Sequence, residues 1–233
     1  MSGGWTSRTE ALLGSEAVAR LAAATVAVFG LGGVGSYTAE ALARAGVGRL
    51  VLVDGDTVAD SNRNRQLCAL TSTVGQSKAE VIAARVRDIN PACDVQAHTL
   101  FYLPPDSGMG LIAGCDYVVD AVDTVKAKVG LAVECQEHGV PLISAMGCGN
   151  KLDATAFRVA DIAKTKVCPL CRVMRRELKL HGVERLRVVY SEEAPRTPLG
   201  TQDRRTPASV SYVPSVAGLI LAGEVIQEIT GVR

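Results

Sequence analysis

The chain predicts an α/β fold, Rossmann-like and doubly wound around a mostly parallel sheet, and three observations predict it. Short apolar runs of strand length alternate with helical segments from Val26 to Ala145. The first run, Val26 to Phe29, enters the turn Gly30-Leu31-Gly32-Gly33-Val34-Gly35 and then an Ala-rich helix. In that layout glycines let phosphate approach the backbone, and a helix N-terminus offers N–H groups and a favourable dipole. The 233 residues are 48% apolar but only 4% aromatic, which suits one core of small aliphatic side chains, so a single domain over 1–233 is expected.

Residues 1–24 read as an N-terminal arm and helix: Arg8 stands near the start, and Leu12, Leu13, Val18 and Leu21 recur at helical spacing. The nucleotide-binding core occupies 25–150. After the glycine turn comes a helix from Ser36 to Ala45 closed by Gly46, then a strand from Arg49 to Val53. A polar loop from Asp54 to Gln76 leads to a helix opened by Lys78 and stopped at Asn90-Pro91. Val95 to Thr99 reads as a strand and, after a Pro/Gly-rich link and a short helix, so does Tyr117 to Ala121. A helix from Val125 to His138 precedes the strand Pro141 to Ala145 and the flexible Gly147-Cys148-Gly149.

The substrate and crossover portion, 151–233, is an added strand-helix part. Phe157 to Val159 and Leu186 to Tyr190 read as strands, and Pro169 to His181 as a basic helix. Residues 192–207 hold three prolines, a glycine and several charges without apolar periodicity, and are expected to form a mobile crossover loop. Val210 to Val213 and a helix from Ser215 to Thr230 close the chain.

The glycine turn followed by Asp54 also describes a dinucleotide site, in which Asp54 would hold a ribose. The residues downstream depart from a hydride-transfer site. Asp54-x-Asp56 is succeeded by Ser61-Asn62-Arg63-Asn64-Arg65-Gln66, then Lys78 at a helix start, then Asp120 and Asp123 at the C-terminal end of a strand. Cations near a phosphate-binding turn, with carboxylates able to hold Mg²⁺, suit a reaction in which charge builds on phosphorus. Asp120 reads either as support for the metal site or as a simple strand end.

These residues resemble the ubiquitin-activating-enzyme-like adenylating proteins. Gly30 to Gly35, Asp54-x-Asp56, Ser61-Asn-x-x-Arg65-Gln66, Val74-Gly75-x-x-Lys78 and Asp120-Ala-x-Asp123 stand in that family's order and approximate spacing. The resemblance implies ATP as cofactor, bound by Gly32, Gly33, Gly35, Asp54, Asp56, Asn62, Arg65, Gln66 and Lys78, with Asp54 holding the ribose, Asn62, Arg65 and Lys78 the phosphates, and Asp123 the Mg²⁺. Arg65, Lys78, Asp123 and Arg8 are then the catalytic set. Arg8 matches the place where the family presents an arginine from a neighbouring subunit, which implies a homodimer; the plain alternative is an exposed arginine. A monovalent cation, K⁺ or Na⁺, is also implied.

Within the family, Arg8-Thr-x-x-Leu-Leu-Gly14 and Asp161-Ile-Ala-Lys-Thr165 are most similar to a tRNA-modifying branch that activates the threonyl carboxylate of a modified adenosine and cyclises it with loss of water. The rival is activation of the C-terminus of a ubiquitin-like sulfur-carrier protein, with a carrier or sulfur-transfer partner. Lys164 to Arg187 carries eight Lys/Arg against two Glu, so Arg172, Arg175, Arg176 and Lys179 are either a solvated helix face or a contact for tRNA phosphates.

Of seven cysteines only Cys168 and Cys171 form a CxxC, with no second pair to complete a structural zinc site. Cys148, between glycines, is the other candidate thiol. His98, His138 and His181 lack ligand spacing. No apolar run has the length of a membrane span and no signal-peptide core opens the chain, so a cytoplasmic protein that stays off the membrane is expected.

Overall fold

The computed structural model describes residues 4–104, 109–200 and 207–232. One seven-stranded sheet runs in the order β3-β2-β1-β4-β5-β7-β6. Its strands are β1 (Thr25–Phe29), β2 (Arg49–Val53), β3 (Asp94–His98), β4 (Tyr117–Asp120), β5 (Leu142–Ala145), β6 (Phe157–Asp161) and β7 (Arg187–Ser191). All neighbours are parallel except β6, which pairs antiparallel to β7 and closes one edge. The parallel strands are buried as near-continuous Val, Leu and Ile runs, as a sheet covered on both faces requires.

The helices are α1 (Ser7–Leu13), α2 (Ser15–Ala23), α3 (Gly35–Ala45), α4 (Lys78–Ile89), α5 (Met109–Ile112), α6 (Val125–His138), α7 (Pro169–Leu180) and α8 (Tyr212–Thr230). On one side of the sheet Val26, Val28, Leu50 and Leu52 share a core with Leu42 of α3, Ile82 of α4 and Leu221 of α8. On the other, Phe29, Val51 and Val53 pack with Tyr102, Ile112 and Leu131. A third cluster joins α7 to β7 through Cys171, Met174, Leu178 and Val188.

Most element bounds match the sequence reading within two residues, and three features differ. The N-terminal helical pattern is two helices, because Gly14 at φ +88° turns the chain between Leu13 and Ser15. Val210–Val213 is no strand: α8 already begins at Tyr212, and Pro214 fits because the first turn needs no N–H partner there. The described part of 192–207 has no regular structure yet is fastened. Glu193 takes the N–H groups of Leu152 and Asp153 on its carboxylate, and Asn150 accepts from Arg196 N–H at 2.8 Å and from Ala208 N–H at 2.7 Å. Residues 201–206 lie outside the described residues.

Among the described residues, α8 alone is long and apolar enough to cross a membrane. It packs against α3 and α2 instead, with Val213, Ala217, Leu221, Ala222 and Val225 fully buried.

Candidate active site

Register brings the site together. Phe29 pairs with Val53 on one side and with Asp120 on the other, and Asp120 pairs with Ser144, so the chain leaves four parallel strands at one level. Ligands bind beyond such C-terminal strand ends in open α/β sheets. A cleft of about 570 Å³ lies there, lined by the glycine loop, Asp54, Asp56, Asn62, Arg65, Gln66, Lys78, Asp123 and the 145–149 segment.

The glycines serve different ends. Gly30 sits at φ +84°, and a Cβ there would stand 2.6 Å from Ala121 O; at Gly35 a Cβ would meet Gly30 O at 1.8 Å. Both are therefore demanded by the backbone approach of the loop to β4 and of α3 to β1. Gly35 lies behind the cleft rather than on it. Gly32 and Gly33 face the cleft; Gly32 has space beside it, with Gln66 Nε2 at 3.6 Å, and Gly33 lies close to Pro214. Their bare backbone is what an approaching phosphate needs.

Asp54 closes the loop onto β2. Its Oδ2 accepts from Leu31 N–H at 2.6 Å and its Oδ1 from Asp56 N–H at 2.8 Å. Asn62 is buried and folds its own turn by accepting from Ala59 N–H at 3.0 Å. Lys78 heads α4 with its side chain 6% exposed and its Nζ 2.7 Å from Asp56 Oδ2, whereas Asp56 is half in solvent. Burial aims the ammonium at the cleft and leaves the carboxylate able to move away. Arg65 Nη1 donates to Ser61 O at 2.9 Å and Asn64 Oδ1 at 2.8 Å, and no carboxylate pairs with it among the described residues. The cleft thus holds two cations on the glycine-loop side.

Asp120 and Asp123 part company. Asp120 is fully buried and paired with Lys128, whose Nζ lies 3.1 Å from Oδ2 and also donates to Ala145 O at 2.7 Å. Ser144 Oγ donates to Asp120 Oδ2 at 2.5 Å, and Val122 N–H donates to Oδ1 at 3.1 Å. Asp120 therefore does more than end its strand: buried and paired with Lys128, it anchors the turn that carries Asp123. Asp123 is exposed at the mouth, accepting only from Thr124 Oγ1 at 3.2 Å among the described hydrogen bonds. A single outward carboxylate fits Mg²⁺, which commonly keeps waters and takes the remaining ligands from substrate phosphates. Among the described residues no group of three or more His, Cys, Asp or Glu side chains gathers for a metal.

Arg8 is not among the cleft residues; it lies exposed on α1, a helix that buries none of its side chains. The basic helix is less uniform than its sequence suggests. Arg175 is turned inward, donating to Ile162 O, Thr165 O and Thr165 Oγ1, whereas Arg172, Arg176 and Lys179 are exposed, Arg176 with its charge paired to Glu177 at 2.7 Å. Cys148 lines the cleft, but burial pushes its thiol up to about 12, and its S–H donates to Met146 O. Sequence reasoning missed Lys128, Ser144 and Phe101, which packs against Gly55 at the cleft rim. Only a lysine one helical turn inside the segment after Asp123 signalled the first.

Residues 6–233 match the ThiF family. The tRNA threonylcarbamoyladenosine dehydratase of Bacillus subtilis is 45% identical, over 96% of this chain and 93% of that protein. The crystal structure of the E. coli tRNA N6-threonylcarbamoyladenosine dehydratase in complex with ATP superposes with a TM-score of 0.88 at 34% identity, over 96% and 93% of the two chains. The mouse adenylyltransferase and sulfurtransferase MOCS3 is 42% identical over 133 residues, which are 57% of this chain and 29% of that protein.

Proposed function

The chain belongs to the ThiF family, and from that premise we propose that it is an ATP-dependent tRNA-modifying enzyme that adenylates the threonyl carboxylate of threonylcarbamoyladenosine and cyclises it. The observation that carries this reading is the cleft itself, whose lining joins bare Gly32 and Gly33 backbone, buried Lys78, half-buried Arg65 and exposed Asp123. Hydride transfer calls for no such set, whereas attack on phosphorus does.

In the proposed reaction a carboxylate oxygen of the substrate attacks the α-phosphorus of ATP, a P–O bond forms, and pyrophosphate leaves. Lys78 and Arg65 disperse the charge that grows on the phosphoryl oxygens, and Asp56 releases Lys78 as the phosphate takes its place. Asp54 is assigned the ribose, with Asn62 and Gln66 completing the wall. Asp123 would hold Mg²⁺, which supplies charge neutralisation on the phosphates. Binding nucleotide and carboxylate side by side supplies proximity. The carbamoyl group then closes on the acyl carbon, and AMP departs with the carboxylate oxygen, so the nucleoside loses the elements of water while ATP becomes AMP and pyrophosphate. No protein thiol is needed, in keeping with the high thiol pKa of Cys148.

The proposal extends to two surfaces. The exposed Arg172 and Lys179 meet tRNA phosphates, and Arg8 reaches the site of a second copy in a homodimer. The test is nucleoside mass spectrometry of threonylcarbamoylated tRNA incubated with the protein, ATP and Mg²⁺. A product lighter by one water is expected, and ¹⁸O placed in the substrate's threonyl carboxylate should appear in AMP. An unchanged nucleoside, with pyrophosphate exchange stimulated by a sulfur-carrier protein, would give the chain to the carrier-activating reading instead.

A further inference from the structure

The CxxC takes no part in the adenylation chemistry. Neither Cys168 nor Cys171 lines the nucleotide cleft, and among the described residues no third ligand joins them for a metal. Their local geometry nevertheless gives the two sulfurs unequal roles. Cys168 is the N-cap of α7, Pro169 occupies the first helical position, and Cys171 lies one turn in. Residues three apart on a helix bring their Cβ atoms to about 5–6 Å, a separation that small side-chain and backbone adjustment closes to the span of a disulfide.

The chain reaches this N-cap through a strained turn. Cys168 N–H donates to Lys166 O at 2.6 Å across Val167, which sits at φ +64°. A β-branched residue in that region is a genuine outlier, and such strain persists only where the surroundings over-determine it. Here the turn sets the Cys168 sulfur over the start of α7. The Cys171 S–H, followed by backbone N–H groups of Cys171, Gly147 and Leu170, faces that sulfur and holds its pKa well below the ordinary thiol range. Cys171, fully buried, moves the other way, chiefly because its proton is held by Cys168. An N-cap thiol favoured as the thiolate, with a protonated thiol one helical turn behind it, is the arrangement of an attacking and a resolving cysteine.

Access and charge agree with this order. Cys168 is 4% exposed beneath a turn whose Lys166, Val167 and Pro169 are all exposed, so displacement of that turn uncovers it, while Cys171 stays behind it. Lys164, Lys166 and Arg172 are exposed around the same turn and favour an anionic reactant. The other cysteines whose thiols shift, Cys68, Cys93, Cys115, Cys135 and Cys148, are all raised, primarily by burial.

We propose that Cys168 and Cys171 are a redox-active dithiol–disulfide pair, with Cys168 attacking and Cys171 resolving, whose oxidant is a small anionic disulfide such as oxidised glutathione. The Cys168 thiolate attacks one glutathione sulfur, a mixed disulfide forms, and glutathione thiolate leaves. Cys171 then yields its proton to solvent and attacks the Cys168 sulfur; the Cys168–Cys171 bond forms as the second glutathione thiolate departs. The two cysteine sulfurs lose two electrons and the glutathione disulfide gains them. Oxidation also removes the negative charge beside Gly147, whose backbone packs near the Cys168 sulfur and lines the nucleotide cleft.

The test uses the reduced, folded full chain, equilibrated at neutral pH with mixtures of reduced and oxidised glutathione, quenched in acid, alkylated and peptide-mapped. A Cys168–Cys171 disulfide, lighter by two hydrogens, is expected while Cys148 and the four core cysteines stay alkylatable. Cys171→Ala should accumulate a mixed disulfide at Cys168, and Cys168→Ala should leave Cys171 unmodified. In the wild-type chain, Cys168 should also be alkylated by iodoacetamide at pH 7 at least about tenfold faster than any other cysteine. Two free thiols at 168 and 171 after oxidised glutathione, or a disulfide that appears only in denaturant, would overturn the proposal, and neither result depends on the variants folding.

Discussion

Replacing Lys128 by alanine is the most demanding test of how this fold supports its cleft. Lys128 and Asp120 are 1% and 0% exposed at the side chain, and Nζ lies 3.1–3.2 Å from both carboxylate oxygens. Lys128→Ala leaves that carboxylate buried with only Ser144 O–H and Val122 N–H donating to it. Removing one partner of such a pair typically costs about 3–5 kcal/mol, because an uncompensated charge stays behind. At about 2–4 °C per kcal/mol for a chain of this size, the melting temperature should fall by roughly 10 °C. The assay is thermal and urea unfolding of Lys128→Ala, Asp120→Ala and the double variant. Since each single change strands the other charge, the double variant should be little worse than either single one, so the coupling should approach the size of a single effect, about 3–4 kcal/mol. Effects that add to within about 0.5 kcal/mol would refute the view that the two side chains act as one unit.

Lys78→Ala should lower ATP–pyrophosphate exchange by about 10²–10³ while tRNA binding in a filter or anisotropy assay holds, since it removes a charge from the phosphoryl group and not from the RNA contact; normal exchange would strip Lys78 of its role. Charge reversal at Arg172 and Lys179 should weaken tRNA binding with a shallower salt dependence, whereas Arg175→Glu should instead lower the melting temperature, because Arg175 holds Ile162 and Thr165; equal effects of all three on tRNA alone would contradict that division. Mixing Arg8→Ala and Lys78→Ala chains after separate purification should restore roughly a quarter of wild-type turnover through heterodimers with one intact site, and no recovery in a mixture shown to exchange subunits would exclude an arginine supplied across the interface. The Cys168 thiolate should add stability above the unfolded thiol pKa that is lost as pH falls toward its lowered folded value, since a depressed pKa favours the folded state only while the group is ionised; urea titrations of wild type and Cys168→Ser at pH 6 and pH 9 should therefore diverge more at the higher pH.

Much of this protein was legible from the order of its residues. Buried parallel strands announce themselves as short Val/Leu/Ile runs, and helices by their spacing and by caps such as Gly46 and Gly139, so Arg49–Val53 and Val125–His138 emerged with their observed bounds. The cleft was legible for a related reason. Gly30 to Gly35, Asp54, Asn62, Arg65 and Lys78 lie within one strand-helix-strand unit and its adjoining loop, so their meeting is local, and only Asp123 required a neighbouring strand. Where one glycine or proline decides a boundary, local reading failed: Gly14 splits a helix, and Pro214 sits comfortably inside the first turn of α8.

What the tertiary structure alone decided are the partnerships made across the sheet. Lys128 looks like any helix lysine until β4 and β5 pair and place Ser144 beside Asp120, at which point burial forces the ammonium onto the carboxylate. Arg175 belongs by composition to a basic face, yet the packing of α7 on the 162–165 turn claims its guanidinium. Glu193, in a stretch with no periodicity at all, pins that stretch to residues 152 and 153 some forty positions earlier in the chain. Residue type and spacing determine which groups can bind a phosphate; which charges are already spent on one another depends on what the fold brings into contact after water is excluded.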